Sequence, residues 1–140
     1  LLGPFVVCAP GKIPHGIIIG DVTRSFDLET TFAHLAGAEI PDDRIIDGHD
    51  IRPLMFGQAG AKSPYEAFYY YYKAQLHAVR SGKWKLWQFV DEDNLPPALF
   101  NLEDDPGEQH NLYRDRPDVV DRLTRLLEQQ KAAGRTRPKK

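Results

Sequence analysis

Residues 67–102 read AFYYYYKAQLHAVRSGKWKLWQFVDEDNLPPALFNL, and the fold turns on that stretch. It is dense in aromatic residues, which suit a pleated, half-buried surface. After the aromatic run Ala67–Tyr72, the segment Leu76–Ser81 alternates, with Leu76, Ala78 and Arg80 expected on one face. Ser81-Gly82 marks a turn. In KWKLWQF (83–89) a period of two sets Trp84, Leu86 and Gln88 on one side and Lys85, Trp87 and Phe89 on the other. A loop around Asp91–Pro97 leads into Ala98–Leu102. Four short strands joined by close turns predict an antiparallel meander.

The segment downstream supplies the cover for such a sheet. Val119, Val120, Leu123, Leu126 and Leu127 make an apolar stripe, with Asp118, Asp121, Arg122, Arg125 and Glu128 opposite. Asp115 is placed to cap this helix, Asp118 to act as a capping-box acid, and Pro117 is tolerated in the first turn. Burial of each large side chain in the stripe stabilises by roughly 1.5–3 kcal/mol, so the helix is expected to lie on a sheet face. Residues 134–140, GRTRPKK, read as a polar, frayed end.

Upstream, Phe5–Ala9 is a short apolar run stopped by Pro10 and Gly11, which predicts a buried strand of a two-sided α/β sheet. Ile17–Ile19 is a second, shorter strand candidate. A helix fits SFDLETTFAHLAGA (25–38), with Phe26, Leu28, Phe32 and Leu35 as its apolar stripe, Ser25 as cap and Gly37 at its end. Pro41, Gly48, Pro53, Gly57 and Gly60 make 38–64 an irregular connection. The fold class is therefore α+β. Residues 1–64 form a part with strand, helix and connection, and residues 65–140 form the sheet with its helix.

Composition narrows the function. The 140 residues carry 18 Lys and Arg against 20 Asp and Glu, a net charge of -2, so there is no broad basic field for nucleic acid. No apolar run approaches the roughly 18 residues of a membrane span, so neither partner is expected. A single cysteine excludes an internal disulfide and a CxxC zinc site. The five histidines show no HxxxH or HExxH spacing. His49-Asp50 beside Asp47 reads as a solvated turn rather than a cation site, and Asp104–Glu108 as a structural turn rather than a Ca²⁺ loop. The Tyr69–Tyr72 run reads as sheet packing, since a stacking platform for single strands also needs a positive groove. No G-x-S-x-G elbow, G-x-G-x-x-G or P-loop occurs.

Taken in order, four segments resemble the C-terminal portion of the sulfatase family, especially the arylsulfatase type, within the alkaline-phosphatase-like superfamily. Pro10-Gly11-Lys12-Ile13 followed by Gly16 is similar to the segment after that family's core strand. Residues 25–57 resemble its Asp-Leu-x-x-Thr helix, here Asp27 to Thr31, its Leu-Ala-Gly end, and its Asp-Gly-x-x-x-x-Pro-Leu connection, here Asp47 to Leu54. Ala78-Val79-Arg80 with Gly82 and Lys85 is similar to its hairpin. Leu102, Asp105-Pro106, Glu108 and Asn111-Leu112 resemble the turn that follows. Glu29 stands where the family often has Pro, which touches only the helix start. Cys8-Ala9-Pro10-Gly11-Lys12 partly imitates the family's formylglycine signature. Its Gly and Lys depart from that signature, and no Asp pair precedes it, so Cys8 reads as a strand residue.

The resemblance implies that Ca²⁺ and formylglycine belong to a preceding N-terminal α/β domain, and that no residue of this chain is catalytic or a metal ligand. The opening LLGPFVVCAPGKIPHG has no initiator Met and no charged leader, and reads as the interior of a longer protein. The expected function is that of a C-terminal fragment of a sulfuric ester hydrolase. It would cap the core, shape the entrance for a sulfate-ester substrate, and be inactive alone. Its expected partner is the N-terminal sulfatase domain. Tyr72, Lys73, Gln75 and His77 are the candidates for the substrate entrance, because polar and cationic groups there break a run of sheet-packing aromatics. Lys73 would attract the ester's negative charge. The alternative is a stand-alone, non-catalytic β-sheet binding module, which a buried Phe5–Ala9 strand with missing neighbours would disfavour. No Asn-x-Ser/Thr sequon occurs, which favours a bacterial periplasm or cytoplasm over a lysosome.

Overall fold

The computed structural model describes residues 5–72, 75–88 and 96–133. The chain divides after Tyr65 into two compact units. In the first, helix α1 spans Asp27–Leu35 and a single turn, α2, spans Arg52–Met55 inside the stretch read as irregular. The α2 turn begins with Pro at its second position, where the missing N–H costs nothing. Gly37, at φ +71, closes α1 in a Schellman arrangement. Ala38 N donates to Ala33 O and Gly37 N to His34 O.

Three expectations fail in this unit. Phe5–Ala9 and Ile17–Ile19 are not strands, and Val6 and Ile18 are 88% and 98% exposed. A strand needs a neighbour to take up its backbone groups, and none pairs with either run among the described residues. Ser25 does not cap α1; its carbonyl receives Leu28 N, while the Asp27 carboxylate accepts from Arg24 N at 2.7 Å. The helix also turns its polar side inward. Asp27, Thr30 and Thr31 are buried, whereas Phe26, Phe32 and Leu35 are exposed. Ile51, Leu54 and Met55 form the unit's small core, with Leu28 packed against them.

The second unit holds β1 (Phe68–Tyr72), β2 (Gln75–Ser81), β3 (Trp84–Trp87) and β4 (Ala98–Asn101), antiparallel in the order β1-β2-β3-β4. The meander expected from the sequence is present. Helix α3, Pro117–Ala133, lies on β2 and β3. Register aligns Tyr69, Val79, Leu86 and Leu99 across the four strands. That row packs with Val119, Val120, Leu123, Leu126 and Leu127 of α3, and Leu86, Leu99, Leu123 and Leu127 are fully buried. Gln88 reaches the same side, donating to Thr124 Oγ1 at 3.1 Å.

The opposite face carries Tyr70 stacked on Trp87, with Phe68 edge-on to Tyr70 at 4.8 Å. Trp84 and Leu86 therefore face away from Lys85 and Trp87, as the alternation requires; Phe89 lies outside the described residues. In β2 the alternation breaks. The register slips between Tyr70 and Tyr71, which pair with Ala78 and Leu76 and leave His77 as an extra residue. Leu76 consequently joins Val79 in the helix-side core, while Ala78 sits in the row of Tyr70 and Trp87. The N-cap of α3 falls at Arg116 rather than Asp115, because the helix begins at Pro117, and Arg116 pairs with Asp118 at 2.9 Å. The expected loop at 91–97 lies mostly, and the frayed end at 134–140 wholly, outside the described residues.

Candidate functional site

The candidate entrance residues gather at one end of the β1–β2 ladder. Tyr72 pairs with Gln75 in register, and His77 sits two residues further along β2, in the bulge. Tyr72 is 63% exposed, Gln75 is exposed and His77 is half-buried. The Tyr72 ring packs edge-to-face on the imidazole, with centroids 5.5 Å apart. Gln88 N donates to His77 O at 2.8 Å, which fixes the bulge to β3. The His77 Nε2 atom is buried with no hydrogen-bond partner among the described residues. Lys73 lies outside the described residues. Three of the four candidates are thus brought together.

The other motif residues are consumed in building the two units. In the first, Asp27 is a hub: its carboxylate accepts from Arg24 N, from His49 N at 2.9 Å and from the Tyr65 hydroxyl. Thr31 Oγ1 accepts from Ile51 N at 3.0 Å. Gly48 is required by close approach, since a Cβ there would lie 2.3 Å from Phe26 O and 2.6 Å from Thr30 Oγ1. The Asp-Leu-x-x-Thr and Asp-Gly motifs therefore stitch α1 to residues 48–51. Helical periodicity gave no hint of this, because it reads apolar residues and the buried side here is polar.

In the second unit the hairpin and turn motifs meet. Lys85, 3% exposed, is ion-paired with Glu108, whose second oxygen accepts from Trp87 Nε1 at 3.1 Å. The Lys85 ammonium also lies 4.6 Å from the Trp87 ring centroid and 5.1 Å from that of Tyr70. Glu108 reaches it from φ +56, a left-handed conformation rare for glutamate, at the end of the Asp-Pro-Gly turn. Burial in this box raises the Tyr70 hydroxyl above its ordinary pKa. Asn111 closes the turn: its Oδ1 accepts from Leu99 N and Tyr113 N, and its Nδ2 donates to Pro97 O.

Asp50, Asp104 and Asp105, weighed as cation ligands, are engaged elsewhere. Asp50 is bound in a fork by Arg52, which lowers its carboxyl below the ordinary value, and the His49 ring packs on Tyr65. Asp104 accepts from Asn101 Nδ2, and Asp105 from the backbone N–H groups of Gln109 and His110. Among the described residues no three His, Cys, Asp or Glu side chains converge as a metal site, and no helix is long and apolar enough to cross a membrane. Cys8 is exposed rather than the end of a buried strand.

Comparison with known proteins gives the same attribution. The model of the family "N-sulphoglucosamine sulphohydrolase, C-terminal" matches residues 1–133. Steryl-sulfatase of Mus musculus is 32% identical over 94% of this chain and 25% of its own length. Arylsulfatase A of Bos taurus is 33% identical over 90% of this chain and 29% of its own. Among solved structures, a sulfatase from Pseudoalteromonas sp. superposes with a TM-score of 0.69, at 21% identity, over 87% of this chain and 28% of its own; that likeness concerns the fold. The chain thus spans about a quarter of the length of the curated relatives it matches. These matches come from mammals and bacteria alike and carry no preference between such sources. With the motifs of both units absorbed into the fold and the family model running through α3, this chain belongs to the N-sulphoglucosamine sulphohydrolase C-terminal family, the C-terminal region of the sulfatases.

Proposed function

We propose that this chain is the substrate-entrance part of a sulfuric ester hydrolase, acting with an N-terminal α/β domain that carries the chemistry. The observation that carries the reading is the gathering of Tyr72, Gln75 and His77 at one end of a hairpin whose other motif residues are spent on structure. The sulfatase resemblance assigns Ca²⁺ and formylglycine to the N-terminal domain. The residues here do not fit either group, because Asp50, Asp104 and Asp105 are bound by Arg52, Asn101 and backbone N–H groups, and Cys8 lacks the signature around it. No catalytic step is assigned to this chain. Its residues bind and orient the alcohol part of a sulfate ester, with Lys73 drawing in the anion.

Two measurements test this. The isolated chain should give no turnover of a chromogenic aryl sulfate, with or without Ca²⁺; turnover that persists in Cys8→Ala after repurification would overturn the reading. In a full-length sulfatase containing these residues, Lys73→Ala and His77→Ala should raise KM more than they lower kcat, the signature of lost uniform binding. Wild-type KM in both variants would leave the hairpin end a structural feature only.

A further inference from the structure

Three features meet at His77. It is the extra residue of a β-bulge, the device by which sheets re-aim a side chain. Its backbone is held to β3 by the bond from Gln88 N, so the position of the ring is set by the sheet. Its Nε2 is buried and has no hydrogen-bond partner among the described residues. A buried polar atom left unsatisfied costs free energy, and such atoms in native folds call for a specific explanation. Packing alone would be served as well by phenylalanine.

The surroundings limit the explanation. The ring against the imidazole is that of Tyr72, a largely exposed side chain, and exposed side chains change rotamer in picoseconds to nanoseconds. A ligand arriving at this end of the hairpin can therefore displace that ring and reach the imidazole. A neutral imidazole has one nitrogen that donates and one that accepts. A hydroxyl does both, so it satisfies Nε2 in either tautomer, whereas a sulfate oxygen satisfies only the donor form. Beside His77 stands the ring of Tyr72, and opposite Tyr72 in register is Gln75, a residue that carries an amide. Apolar face, amide and imidazole match a molecule with C–H groups on its faces and hydroxyls on its rim.

We propose that His77 receives a hydroxyl of the substrate's alcohol portion, which makes it a specificity residue for sulfate esters of sugar-like, polyhydroxylated alcohols over apolar ones. This rests on the entrance reading above and deepens it. A site arranged to hydrogen-bond a hydroxyl discriminates against an alcohol without one, because its own polar group is then left unpaired.

The test uses a full-length sulfatase containing these residues, with glucosamine 6-sulfate and 4-nitrophenyl sulfate as the two substrates. The wild type should turn over both. In His77→Phe, which keeps the ring and removes both nitrogens, the ratio of kcat/KM for the sugar sulfate over the aryl sulfate should fall about tenfold, the scale of one lost hydrogen bond. His77→Asn, which restores a donor and an acceptor, should recover part of that ratio and covers the case in which the phenylalanine variant does not fold. A ratio unchanged in both variants, or a wild type inert toward the sugar sulfate, would overturn the proposal. Tyr72→Ala and Gln75→Ala separate the two levels. If either raises KM while the ratio in His77→Phe stays put, the entrance stands and the hydroxyl assignment falls. If none of the variants moves KM on either substrate, both fall.

Discussion

Asp105 and Glu108 show how single side chains hold a turn to a sheet. One oxygen of Asp105 accepts from Gln109 N and His110 N, each at 2.8 Å, and those bonds hold its carboxyl below the ordinary 3.8. A depressed folded pKa contributes stability above the ordinary value, lost as pH falls from there through the folded value. Urea denaturation should therefore show wild-type stability dropping below about pH 4 and Asp105→Asn, starting lower, dropping less over the same range; parallel curves would show that the carboxylate charge is not used. Glu108 acts by a different route. Glu108→Ala leaves the buried Lys85 ammonium without its carboxylate and should cost about 3–5 kcal/mol, most of it recovered when Lys85→Met is added. A double variant no more stable than the single one would contradict that account. The Asp-Pro-Gly turn was legible from residue type alone. The ion pair was not, because the partners are 23 residues apart and a lysine in an alternating strand reads as solvent-facing until its facing residues are known.

At the scale of elements, the contact of α3 with the sheet carries the second unit. Leu123 has no exposed surface and sits among Val79, Leu86 and Leu99. Leu123→Ala should cost about 2–5 kcal/mol through lost transfer energy and the cavity left behind, read as a lowered midpoint in chemical denaturation. An unchanged midpoint would make the helix peripheral. The four strands and α3 were readable because their signals are local: a period of two between turns, and an apolar stripe of helical spacing. What escaped was non-local. The bulge at His77 moves Leu76 to the other face, and it depends on pairing with Tyr70 and Tyr71 rather than on any residue of β2 alone. The α1 helix was found but its buried side was misread, because that side is chosen by hydrogen bonds from His49 and Ile51, about twenty residues downstream. The entrance candidates were found by composition, while the orphaned Nε2 appears only once the imidazole has been placed.

At the scale of the molecule, apolar exposure is unevenly shared. Nine of the eleven large exposed apolar side chains among the described residues lie in the first unit, from Phe5 to Ile45. Its core is a cluster of three buried residues with partly buried neighbours, against ten in the second unit. The runs misread as buried strands and the apolar side of α1 carry eight of those nine residues. Their patterning is that of buried segments, and about three quarters of the length of the curated relatives lies outside the part this chain matches. Local opening free energy follows the buried apolar contacts a segment makes. In hydrogen exchange on the isolated chain, the amides of Leu86, Leu99 and Leu123 should open only with global unfolding of their unit. Those of Phe32–Leu35 in α1 should exchange much faster, despite their helical bonds. In a full-length sulfatase containing these residues, protection of α1 should rise toward that of α3, since the apolar side of α1 would then lie against the α/β domain. Equal protection of α1 and α3 in the isolated chain would show that the first unit is self-sufficient, and would favour the alternative of a stand-alone binding module.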